Sequence, residues 1–172
     1  MTVIKKLNEF MHEKHPGVQD MAAETFLKIS KLTKHMFTQK HDEKPPYVIT
    51  LIESIPVNCK DLEEKQKLQV YEGIGCMVST EQQQQVMYLQ ELLKYTNQDW
   101  QIIIQRANQG TNELMTPEII KSIDFMIKVN QKVAQSVGQT YLAYLQQIFT
   151  DLIKIYKLYS ECISNLVNHG NG

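Results

Sequence analysis

The sequence predicts an all-α chain, an α-solenoid of about seven helices stacked as antiparallel hairpins. Three observations carry that prediction. Apolar residues recur at helical spacing along nearly the whole length, and no alternating run supports a strand. The seven glycines and five prolines sit mostly between the periodic segments. The connections are short, so neighbouring helices pack antiparallel and alternate ones stack.

Residues 2–14 read as the first helix. At about 100° per residue, Ile4, Leu7 and Met11 share a narrow arc, the stripe a helix buries. Val3 and Phe10 sit at its edge and turn toward a second face that also holds Thr2, Lys6 and Glu9. Two outcomes fit this wheel. Phe10 widens the core stripe, the ordinary case, since exposed apolar residues are common; or the apolar pair faces a docking partner.

Pro16-Gly17 breaks that helix, and a second runs from about Val18 to Gln39. Its apolar set is Val18, Met21, Ala22, Phe26, Ile29, Leu32, Met36 and Phe37. His41 to Pro46 is a polar loop, because Pro45-Pro46 disfavours helix before Tyr47. A short third helix from Tyr47 ends at Pro56. Asp61 followed by Glu64 reads as a capping box opening the fourth. Gly73 and Gly75 inside it cost ~1 kcal/mol each against alanine, so close helix packing is the expected compensation. A fifth helix starts at Ser79-Thr80-Glu81, kinks at Asn97-Gln98-Asp99 and resumes at Trp100. Thr116-Pro117-Glu118 joins an N-cap hydroxyl, a first-turn proline and a dipole-favoured acid; the helix it opens stops at Gly138. A long last helix covers about Thr140 to Asn168, with Tyr156 and Tyr159 expected in its core.

Composition excludes several functions. The net charge is -1, and Arg106 is the single arginine among 18 basic side chains. Arginine forks suit phosphate and base recognition, so direct nucleic-acid binding is not expected. No apolar run reaches the ~18 residues of a bilayer span. Three scattered cysteines, Cys59, Cys76 and Cys162, read as reduced thiols. No nucleophile elbow, phosphate loop or zinc-protease motif occurs, so no enzyme, cofactor or metal is expected. His12 and His15, three residues apart, read as surface histidines rather than metal ligands, because no further ligand sits at suitable spacing.

Hairpins fall at 1–39, 45–79 and 81–137, with an unpaired final helix at 139–169, all in one solenoid. The uneven spacing disfavours tetratricopeptide repeats and suits HEAT repeats. An uncapped first helix and an unpartnered last one suggest a piece of a longer array.

The run "LNEFMHEKHPGVQDMAAETFLKI", Leu7 to Ile29, resembles the exportin-1 family, the leucine-rich nuclear-export-signal receptors of the importin-β superfamily. "DLEEKQKLQVYEGIGCMVS", "NQDWQIII", "PEIIKSI" and "LIKIYKLYSECIS" follow in the expected order. The resemblance implies a stretch from the twelfth HEAT repeat into the fifteenth. It implies a nuclear export receptor that binds signal-bearing cargo together with Ran-GTP, meets nucleoporins through the full-length protein, and shuttles between nucleus and cytoplasm. Thr2, Val3, Lys6, Glu9, Phe10 and Met21 match the family's signal-groove positions, one wall of that groove. Asn8 departs from the usual phenylalanine, Ala23 from a common cysteine, and Pro16 from a small polar or acidic residue. The family's reactive groove cysteine lies in the preceding repeat and is none of the three here. The competing reading is a purely structural scaffold with no ligand site.

Overall fold

A computed structural model describes residues 2–39, 45–81, 83–109 and 112–169. The helices are α1 (Thr2–Met11), α2 (Pro16–Thr38), α3 (Tyr47–Glu53), α4 (Ile55–Asn58), α5 (Glu64–Val78), α6 (Gln85–Gln109), α7 (Pro117–Val137) and α8 (Tyr141–His169). Short 3₁₀ turns cover Asn112–Met115 and Gly138–Thr140. No strand occurs among the described residues. Residues 41–44 of the expected loop, with Gln82, Gly110 and Thr111, lie outside the described residues.

Among the described residues there are eight α-helices where about seven were expected, because Ser54 divides the third. Pro56 opens α4 rather than ending a helix, which is sound because a first-turn amide has no partner to lose. The cap of α5 is also displaced. Glu63, not Asp61, is the N-cap, and its backbone N–H donates to Gln66 Oε1 at 2.7 Å. Asp61 instead lies 2.7 Å from His12 Nδ1. α1 stops at Met11, short of residue 14. α6 begins at Gln85, after Glu81 Oε1 accepts the Gln83 and Gln84 amides, and it runs unbroken through Asn97-Gln98-Asp99. Thr116 caps α7 as expected, accepting from Ile119 N at 3.4 Å, and Gly138 takes φ 66° just past its end.

α5 lies between α2 and α7, and these three form one row. α1 packs on α2, α3 on α2 and α5, α6 on α5 and α7, and α8 on α6 and α7. The two α5 glycines face opposite neighbours. A Cβ on Gly73 would lie 2.8 Å from Ser30 Oγ and 2.9 Å from Phe26 Cε1, both on α2. A Cβ on Gly75 would lie 3.0 Å from Ser136 Cβ on α7. Missing side chains are what let three helices meet closely, and that offsets the propensity cost.

Two apolar cores result among the described residues. The larger joins α1 to α5 with the first half of α6, the second half of α7 and the start of α8. The smaller holds Trp100, Ile103, Ile104, Ala107, Leu114, Ile123, Met126 and Ile155. Helical periodicity overstated the core elsewhere. Met21, Leu32 and Met36 of α2 are exposed, as are Leu142, Phe149, Tyr156, Ile163 and Val167 of α8. Tyr156 therefore departs from the expected core pair, whereas Tyr159 is half-buried and donates through its hydroxyl to Leu114 O at 2.5 Å. No described helix is long and apolar enough to cross a membrane.

Candidate functional site

The first helix carries the candidate site. Ile4, Leu7 and Met11 are buried, so they fix which way α1 faces α2. That orientation turns Thr2, Val3, Lys6, Glu9 and Phe10 outward, in an arc of about 120° on an ideal wheel. Val3 is 60% and Phe10 38% exposed. Lys6 Nζ sits 5.2 Å from the Phe10 ring centroid and donates to Glu9 Oε2 at 2.6 Å. Lys6, Glu9 and Phe10 thus form one contact cluster. The hydrogen bond to Glu9, aided by its charge, holds the Lys6 ammonium above its ordinary pKa. An ammonium has three donors, so two remain for a visiting carbonyl or carboxylate.

Val3, on the same outward arc, also borders a hollow. With Ile4, Ile29, Thr33, Met36, Phe37 and Tyr47 it lines a cavity of about 230 Å³ between α1, α2 and the start of α3. The sequence did not single out this cavity, because its shape depends on a kink. Thr33 leaves helical geometry at φ -121°, ψ 20°, and its hydroxyl donates to Ile29 O at 2.8 Å. Such back-bonding bends helices. The Phe37 and Tyr47 rings stack with centroids 6.1 Å apart and close one side. A β-branched threonine within the helix was the one available signal. Met21 stands apart on α2 at 71% exposure.

A larger cavity, about 650 Å³, opens on the α2–α5–α7 row. Its lining lysines are ion-paired. Lys132 holds Glu72 at 3.0 Å, Lys128 holds Glu64 at 2.7 Å and Lys65 lies 3.6 Å from Asp20, while Lys31, outside the lining, also holds Glu72 at 2.6 Å. It displays charge already neutralised, whereas the α1 face displays apolar surface. The α1 face is the better recognition candidate despite its smaller hollow. His12 pairs with Asp61, and His15 Nδ1 accepts from Gly17 N at 3.1 Å. Among the described residues no group of three potential ligands could hold a metal.

No protein-family model matches the chain. Curated relatives do. Protein EXPORTIN 1B of Arabidopsis thaliana is 38% identical over 172 residues, covering 98% of this chain. The chain is homologous to a segment of exportin-1. Exportin-1 of Dictyostelium discoideum is 35% identical over 170 residues, 97% of the chain. Exportin-1 of Schizosaccharomyces pombe is 34% identical over 169 residues, 96% of the chain. In each case the chain spans 16% of the relative's length. The helical packing of the described residues, with α2, α5 and α7 in one row, agrees with a helical-repeat solenoid, the architecture expected of an exportin-1 segment.

Proposed function

We propose that this chain is part of a nuclear export receptor and supplies one wall of a groove for leucine-rich export-signal peptides. The observation that carries this reading is the exposed apolar pair Val3 and Phe10 beside Lys6, on a helix whose buried stripe is already satisfied. Similarity to exportin-1 over nearly the whole chain supports it. A signal peptide with a helical stretch lays spaced leucines against apolar walls. Val3, Phe10 and Met21 form those walls, Lys6 reaches peptide carbonyls or acidic flanks, and Thr2 and Glu9 set the rim. The whole receptor binds cargo together with GTP-bound Ran, contacts nucleoporins, and shuttles between nucleus and cytoplasm.

The test is Phe10→Ala in the full-length receptor, with peptide affinity measured in the presence of GTP-bound Ran. The expected loss is about 2 kcal/mol, roughly 30-fold, typical of an interface anchor. Unfolding stability changes little, because the ring is already partly in water. The scaffold reading expects the opposite: lowered stability with affinity intact. A chain holding one wall binds the peptide very weakly by itself, so micromolar binding to this chain alone by isothermal titration would contradict the half-groove account.

A further inference from the structure

We infer that the seam between α6, α7 and α8 is a water-binding site built around the indole of Trp100. Trp100 is 5% exposed, and its Nε1–H is buried with no hydrogen-bond partner among the described residues. Buried donors of this kind are rarely left unmet. A cavity of about 50 Å³ lies against the same residue, lined in part by Thr96, Asn130 and Tyr141. One water needs about 10–15 Å³, so a water or a small cluster fits.

The polar groups around the cavity say what the occupant must offer. The Thr96 hydroxyl donates to Leu93 O at 2.7 Å. The Tyr141 hydroxyl donates to Asn130 Oδ1 at 2.8 Å. Asn130 Nδ2 donates to Met126 O at 2.8 Å. Each of these two hydroxyls has a single hydrogen, so both are spent, while lone pairs remain on Thr96 Oγ1, Tyr141 Oη and Asn130 Oδ1; Tyr144 also lines the cavity. The indole offers a donor and nothing else. The occupant must therefore accept from Trp100 and donate toward the oxygens, in a space a few ångströms across. Water does both. An inorganic anion finds no cationic side chain in this lining, and a metal ion finds no carboxylate, imidazole or thiolate there. Dry cavities are apolar throughout, and this one is mixed.

Trp100 is the chain's single tryptophan, so its indole Hε1 resonance is unambiguous. The test is a pair of water-selective NOE and ROE spectra on the labelled chain, with α-protons filtered out. A resident water gives a cross-peak to Hε1 of opposite sign in the two experiments. No peak, or peaks of equal sign from proton exchange alone, overturns the inference. Relay through a hydroxyl is separated by Tyr141→Phe, Tyr144→Phe and Thr96→Val, tested singly. Each leaves at least two acceptor oxygens, so the peak persists in all three; its disappearance in any one assigns the signal to that hydroxyl and overturns the water site.

Discussion

Gly73→Ala tests the packing logic of the fold most directly. In an isolated helix this change stabilises by about 1 kcal/mol. Here the new Cβ arrives 2.8 Å from Ser30 Oγ and 2.9 Å from Phe26 Cε1. Carbon contacts are comfortable near 3.5–4.0 Å, so α5 and α2 must part by about 0.7 Å or the two side chains must move. Neither moves easily. Ser30 is fully buried, with its hydroxyl on Phe26 O at 2.7 Å, and Phe26 is 1% exposed. Overpacking of this kind costs about 1–3 kcal/mol. Because both neighbours are pinned, the upper half of that range applies, and subtracting the propensity gain leaves a loss of about 1–2 kcal/mol. Equilibrium urea unfolding followed by far-UV circular dichroism would read this as a lower midpoint at unchanged slope. Ser30→Ala removes one of the two clashing atoms, so the double variant loses less than the sum of the single ones. A Gly73→Ala chain more stable than the parent would refute the close-approach account.

Two further outcomes follow from the electrostatics. Burial acts to raise the Glu72 carboxyl, but hydrogen bonds and charge from Lys31 and Lys132 together outweigh it and hold its pKa below the ordinary value. Its stabilisation is therefore present above the unfolded value of about 4.3 and lost as pH falls through the folded one. Both lysines are 40–51% exposed, so Glu72→Gln should cost only about 1 kcal/mol at neutral pH and flatten the acid limb of a stability–pH curve. Burial pushes the Cys59 thiol up to about 12. Cys76 and Cys162 are only partly buried. Native-state alkylation should therefore label those two first and reach Cys59 only on unfolding, which mass spectrometry would show; early labelling of Cys59 would contradict its burial.

The helices were legible because their periods are strong, and the Thr116 cap and Gly138 stop are local codes that needed no partner. The cap expected at Asp61 and found at Glu63 shows the limit of such codes. Glu63 and Gln66 satisfy the same spacing rule two residues later, and only the fold decides which pair sits at the helix end. Leu32 and Met36 show another limit. A wheel gives the direction of an apolar side chain, while burial depends on whether a neighbour occupies that direction. The α1 face was readable because one arc was accounted for by Ile4, Leu7 and Met11. The cavity beneath Val3 was not, since it joins three segments across the Thr33 kink.

The division of the interior has a spectroscopic consequence. Trp100 belongs to the smaller core, while most backbone signal comes from helices anchored in the larger one. Emission and ellipticity therefore watch different parts of the molecule. If α8 peels away before the glycine-packed row lets go, the two traces will not superimpose, and a single melting temperature would average two separate events.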